Sequence, residues 1–95
     1  MNSQGYIIII EPTKTGLSAY CPDLPGCITV GETVEQTRKY MHEAIELYIE
    51  DLIEEGENVP KPRELKDQIN IIGNIQSGTF MAFVPFQMVA HAKSA

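Results

Sequence analysis

A chain of 95 residues has room for one small domain with a modest core and little for a second folding unit. Its formal net charge of -6 and pI near 4.7 set up a field that repels phosphate backbones and attracts basic proteins, which argues against non-specific binding to DNA or RNA. No apolar run approaches the roughly 20 residues that span a bilayer, and MNSQGYIIII lacks the basic start and full apolar stretch of a secretory signal, so no membrane association is expected and the cytoplasm is the expected location.

Residues 6 to 11, YIIIIE, are β-branched and apolar at both alternating positions, the pattern of a strand covered on both sides. One side is expected to face the domain's helix and the other a neighbouring subunit or a partner. PTKTG, residues 12 to 16, reads as a turn, with proline ending the ladder and glycine permitting positive φ. LSAYC resumes as a second strand antiparallel to the first. After PDLPG, the four residues CITV form a short third strand, with Ile28 and Val30 pointing one way and Cys27 and Thr29 the other.

Thr33 is placed to cap a helix, and Gln36, three positions later, to complete a capping box. From there Thr37, Met41, Ala44, Ile45, Tyr48 and Leu52 make an apolar stripe at helical spacing, while Glu35, Lys39, His42, Glu43, Glu46, Glu50 and Glu54 take the watered side. Gly56 is a C-terminal stop and NVPKP enforces an extended exit, so the helix is expected over Val34 to Glu55. Residues 63 to 78 divide between a polar helical turn and a strand or irregular connection. TFMAFV, residues 79 to 84, is a strand that Pro85 keeps from continuing as a central one. The fold class is α+β: a β-β-β-α-β sheet backed by one long helix, in a single domain over residues 1 to 95 with a short tail from 85 to 95.

CPDLPGC, residues 21 to 27, is the densest cluster of chemistry-bearing types, and three explanations compete for it. Free thiols are expected in a cytoplasmic chain; an intramolecular disulfide and a structural zinc are the alternatives, although Cys21, Cys27, His42 and His91 stand in no familiar zinc spacing. A shaped turn accounts for the rest. Pro22 and Pro25 narrow φ, Leu24 supplies an apolar anchor, Gly26 tolerates a conformation that a side chain would obstruct, and Asp23 accepts backbone hydrogen bonds or meets a partner. His42 belongs to the helix surface and His91 to the tail surface or an interface. With neither a nucleophilic triad nor a phosphate-cradling loop in view, no catalytic, metal or cofactor-binding residue is assigned.

The block YCPDLPGCITVGETVEQTRKYMHEAIELYIEDLIEEGENVPKP, with the opening strand, strongly resembles the N-terminal domain of HicB-type antitoxins over roughly residues 6 to 62. The resemblance rests on Tyr6, Gly16, Tyr20, the CPDLPGC turn, Gly31, Thr33, Glu43, Ala44, Ile45, Gly56, Pro60 and Pro62, while Gln36 and Thr37 stand where the family has a glutamate-alanine pair. It implies a partial ribonuclease H-like fold that hydrolyses nothing, and a role in binding and neutralising a small ribonuclease toxin whose catalytic histidine lies on the toxin. Complete antitoxins of this kind commonly add a C-terminal DNA-binding domain. PFQMVAHAKSA is too short for one, so direct DNA binding is not expected.

The segment from Glu32 to Glu57 holds nine of the chain's thirteen acids and only Arg38 and Lys39 as bases. Glu35, Glu43, Glu46, Glu50 and Glu54 are therefore candidate contacts for a small basic ribonuclease toxin, against the blander alternative of a solubilising face. The opening strand and TFMAFVPF are a second candidate contact, through which the chain would form a homo-dimer or homo-tetramer; core burial is the alternative. Two further functions remain open: a stand-alone homo-oligomeric domain of unknown role without a toxin, and a cryptic metal-dependent nuclease using Asp23.

Overall fold

The computed structural model describes residues 5–63, 67 and 77–85. Four strands, β1 (Gly5–Pro12), β2 (Leu17–Tyr20), β3 (Ile28–Gly31) and β4 (Phe80–Pro85), form an antiparallel sheet, and α1 (Val34–Glu54) lies between β3 and β4 in the chain. The strand order is β3-β2-β1-β4, so the isoleucine-rich β1 is central and β4 closes one edge after the helix has crossed the sheet. The expected β-β-β-α-β order is therefore observed. Expectations for residues 64–66 and 68–76, and for the tail beyond Pro85, lie outside the described residues.

Both prolines expected to terminate strands stand at the last rungs of their ladders, Pro12 opposite Leu17 and Pro85 opposite Gly5. A missing N–H is tolerated at a strand end or on an edge strand, which is where each sits. The β1–β2 turn closes through Thr13, whose N–H donates to the Gly16 carbonyl at 2.8 Å and whose hydroxyl accepts from the Gly16 N–H at 3.0 Å. Gly16 does not take the expected positive φ; the nearby Gly31 carbonyl leaves no space for a Cβ there.

The two faces of β1 follow different courses. Tyr6, Ile8 and Ile10 point into the core with Ala19 and Val84, beneath the buried helix residues Met41, Ile45 and Ile49. Each such large side chain withdrawn from water contributes roughly 1.5–3 kcal/mol. Ile49, four residues beyond Ile45, belongs to this stripe and is an addition to the expected one. Ala44 and Tyr48 flank the core half-buried. Ile9 is equally inaccessible, yet it stands on the opposite face between its register partners Tyr20 and Met81, outside the core cluster.

Both helix ends carry their signals. The Thr33 hydroxyl accepts from the Gln36 N–H at 3.1 Å, and the Gln36 side-chain carbonyl reaches back to the Glu32 N–H at 2.7 Å, one residue earlier than a standard capping box. At the other end the Glu57 N–H donates to the Leu52 carbonyl and the Gly56 N–H to the Ile53 carbonyl, the paired bonds of a Schellman motif, with Gly56 at φ 73. The helix therefore stops at Glu54, with Glu55 as its cap.

Thr37 is fully buried on the sheet side. Its hydroxyl donates to the Thr33 carbonyl at 2.7 Å, so burial leaves that donor satisfied. The threonine packs directly on Gly31: a Cβ at residue 31 would run into Thr37 Oγ1 and stand 3.1 Å from its Cα. Gly31→Ala is accordingly expected to lower the unfolding free energy by about 1–3 kcal/mol through overpacking, with Thr37→Ala in the same chain restoring part of the loss. Urea denaturation of both variants and of the pair measures the coupling; additive losses would show that this contact is not the cause.

Candidate partner-binding surface

The CPDLPGC segment is a closed turn. Leu24 N–H donates to the Cys21 carbonyl at 3.0 Å, Cys27 N–H to the Leu24 carbonyl at 3.0 Å, and Cys21 N–H to the Cys27 carbonyl at 3.1 Å. Leu24 drops fully into the core between the two flanking prolines, and Gly26 adopts φ 84, the conformation its position in the turn requires. The sequence does not disclose the distant partner of Asp23. Its side chain is 1% exposed; Oδ2 accepts the Arg63 backbone N–H at 3.1 Å, and Oδ1 lies 3.3 Å from Arg63 Nε. Tyr6 makes a parallel tie by donating its hydroxyl to the Pro60 carbonyl at 2.6 Å. Together they fasten the irregular segment after α1 to the strands and the turn, giving Asp23 a structural task.

Cys21 and Cys27 are buried free thiols. Burial is the main force raising both, Cys21 to about 12 and Cys27 to about 11. Little thiolate exists at neutral pH, so neither is suited to nucleophilic or redox work. Burial likewise lifts the Tyr6 phenol to about 12, with Cys21 and Asp23 adding to it. Among the described residues no three His, Cys, Asp or Glu side chains stand close enough to hold a metal ion, and no helix is long and apolar enough to cross a membrane.

The outward face of α1 is the other candidate. Glu35, Glu43, Glu50 and Glu54 are exposed and Glu46 is half-buried beside His42, whose Nδ1 lies 4.0 Å from the Glu46 carboxylate one turn on. Helical spacing aligns Tyr40, Glu43, Leu47, Glu50 and Glu54 along one stripe; from Glu43 to Glu54 it runs about 16 Å. Arg38, one of two bases in the helix, donates from its guanidinium to the Phe83 carbonyl at 2.8 Å, which draws its charge toward the sheet edge. Leu47 is 67% exposed in the midst of these acids and Tyr40 is 39% exposed. Neither is among the contacts expected from the sequence, although their seven-residue separation, out of phase with Met41, Ile45 and Ile49, is the available signal. The surface thus combines negative charge with an accessible apolar centre.

A family model described as HicB_like antitoxin of bacterial toxin-antitoxin system matches residues 6–93. An uncharacterised 14.9 kDa protein of Haemophilus phage HP1 is 35% identical over 65 residues, which are 68% of this chain and 49% of the phage protein, so the chain spans about half that relative. A UPF0150 protein of Synechocystis sp. is 40% identical over 68 residues, covering 70% of this chain and 86% of the relative. Among solved structures, a chain of a HicA3 and HicB3 toxin-antitoxin complex superimposes with a TM-score of 0.69 at 31% identity, covering 83% of this chain and 93% of that one.

Two outcomes are expected of the turn. Asp23→Asn should lower stability by about 1.5–3 kcal/mol by weakening a charge-assisted hydrogen bond, mainly the one to the Arg63 N–H, since the exposed guanidinium adds less; an unchanged urea midpoint would contradict it. In the unfolded chain the thiols lose their protons near 9.0 and the Tyr6 phenol near 10.0, whereas in the folded chain they hold them to about 11 or 12. Their folded-state values are raised, so the associated stability is fully present below about pH 9 and is lost as the pH climbs from there toward 12. Urea midpoints measured between pH 8 and 11 should fall, and fall less steeply in a Cys21→Ala, Cys27→Ala double variant; a flat wild-type profile would contradict this linkage.

Proposed function

We propose that this chain, which belongs to the HicB-like antitoxin family, neutralises a small basic ribonuclease toxin by laying the outward face of α1 across the toxin's RNA approach surface. A ribonuclease that binds RNA must present positive charge to phosphates. Glu43, Glu50 and Glu54 offer carboxylates in their place, and Leu47 offers an apolar anchor whose burial slows release. The observation that carries the reading is the acid-lined stripe with Leu47 exposed at its centre; the HicA3 and HicB3 complex supports it, because a chain of that complex shares this fold. This protein supplies obstruction and no reaction.

Finer parts of the proposal are a cytoplasmic site of action, no direct DNA binding by the acidic domain, and a partial ribonuclease H-like fold, for which the β-β-β-α-β order is the support. Self-association into a homo-dimer or homo-tetramer belongs to it as well. The same self-association without a toxin is the second reading, favoured by the apolar residues Ile28, Val30 and Phe83 exposed on the sheet.

Co-expression with a small basic ribonuclease toxin, taken from the adjacent reading frame where that frame encodes one, followed by co-purification and an RNA-cleavage assay, tests the main reading. Wild-type chain should form the complex and protect RNA. A Glu43→Lys, Glu50→Lys, Glu54→Lys variant should associate at least tenfold more slowly at low salt, and Leu47→Ala should dissociate about tenfold faster. Absence of both complex and protection would leave the stand-alone reading.

A further inference from the structure

The sheet ends in two edge strands, β3 and β4, and the hydrogen-bond ladder fixes which backbone groups each edge offers. The hairpin bond from the Thr13 N–H to the Gly16 carbonyl makes Thr13 and Gly16 a bonded pair, so bonded and non-bonded pairs alternate from there along β1 and β2. Ile9 with Tyr20 is then a bonded pair, while the N–H and C=O of Ile8 and Ile10 turn the other way, toward Ala82 and Phe80 of β4. In β4 this leaves the backbone groups of Met81, Phe83 and Pro85 pointing away from β1, and among the described residues no strand stands beyond them. The 2.8 Å bond from the Arg38 guanidinium to the Phe83 carbonyl arrives from that open side, as this parity requires. On the opposite edge, the bond from the Cys21 N–H to the Cys27 carbonyl sets the same alternation for β2 and β3, so Ile28 and Val30 point their backbone groups outward there.

A sheet edge invites pairing with another extended chain, and proteins blunt such edges with short strands, prolines or charge. The β3 edge is short, four residues reading ITVG. The β4 edge has six, FMAFVP, with no charge among them and with Phe80 and Phe83 partly exposed, so it is the more adhesive of the two. An antiparallel strand laid along it would exchange an N–H and a C=O with each of Met81, Phe83 and Pro85. Pro85 has no N–H to give. At Phe83 the carbonyl already accepts from Arg38, so a newcomer must either displace the guanidinium or seal its charge between itself and the helix. Stripping water from a charge costs more than one neutral hydrogen bond contributes. Of the three positions Met81 alone is left as a complete donor and acceptor among the described residues, which is too little to hold a strand.

We infer that Arg38 guards the free edge of β4, its guanidinium holding the Phe83 carbonyl so that the β4 strand of another copy cannot be added to the sheet. The inference rests on neither toxin binding nor contact between sheet faces; the mass of the wild type, whatever it is, serves as the baseline. Arg38 is exposed on α1, so replacing it leaves the core intact. Arg38→Met keeps an apolar stem and removes every donor. Its circular dichroism spectrum should match the wild type, while sedimentation velocity over a rising concentration series should show a larger species that the wild type does not form. Quenched hydrogen exchange locates the new contact: the Met81 and Phe83 amides should exchange about tenfold more slowly in that species than in the wild type, with the Ile28 and Val30 amides of the other edge unchanged. A folded Arg38→Met with wild-type mass and wild-type exchange at Met81 and Phe83 would overturn the assignment. So would new protection at Ile28 and Val30 alone, or Met81 and Phe83 amides already protected in the wild type. Should Arg38→Met fail to fold, Arg38→Gln, polar but too short to take the guanidinium's place, puts the same question with the same outcomes; failure of both to fold would make Arg38 a structural tie and overturn the guarding role.

Discussion

One helix covers one face of a four-stranded sheet, and every other property of this domain derives from that arrangement. The stripe Thr37, Met41, Ile45 and Ile49, flanked by half-buried Ala44 and Tyr48, is used up against Ile8, Ile10 and their neighbours, so the opposite helix face and the opposite sheet face point away from this core. They do so with opposite chemistry. The helix presents carboxylates around Leu47, and the sheet presents aliphatic and aromatic side chains with almost no charge. A domain of this size gains from covering the second face, and the first is suited to an electropositive partner.

The helix sits close to the sheet because of Gly31 and Thr37, and the turn holds the segment after the helix. Once α1 ends in its Schellman motif, the chain runs without regular secondary structure through Pro60, where the Tyr6 hydroxyl donates to the backbone carbonyl, and reaches Arg63, where the buried Asp23 takes both the N–H and the guanidinium. These contacts join the first strand, the CPDLPGC turn and the helix exit across 54 positions of chain from Tyr6 to Pro60 and 40 from Asp23 to Arg63. The turn is therefore a structural joint, and its thiols, raised by burial, are packing groups.

Local physics makes most of the architecture legible. Period-two runs mark the strands, the Thr33 and Gln36 pair marks the helix start, and Gly56 marks its stop, because each is an interaction between near neighbours. The double-sided apolar character of YIIIIE foretells that a second surface is left on β1. The features that escape a sequence reading depend on non-local contacts. Asp23 gives no sign of Arg63, since nothing in a turn names a residue forty positions away, and Gly16 suggests a positive φ when the Gly31 carbonyl is the constraint. Leu47 is easily passed over because a leucine in a helix suggests core until the phase of Met41, Ile45 and Ile49 is fixed. The acidic residues are plain at once, yet charge alone does not separate a docking face from a solubilising one.

The division of labour between the two outward surfaces is the central claim, and cross-saturation NMR on methyl-labelled chain in complex with an unlabelled partner ribonuclease tests it most directly. Saturation from the ribonuclease should reach the Leu47 methyls and leave those of Ile28 and Val30 unaffected. Saturation concentrated on Ile28 and Val30, with Leu47 untouched, would contradict it.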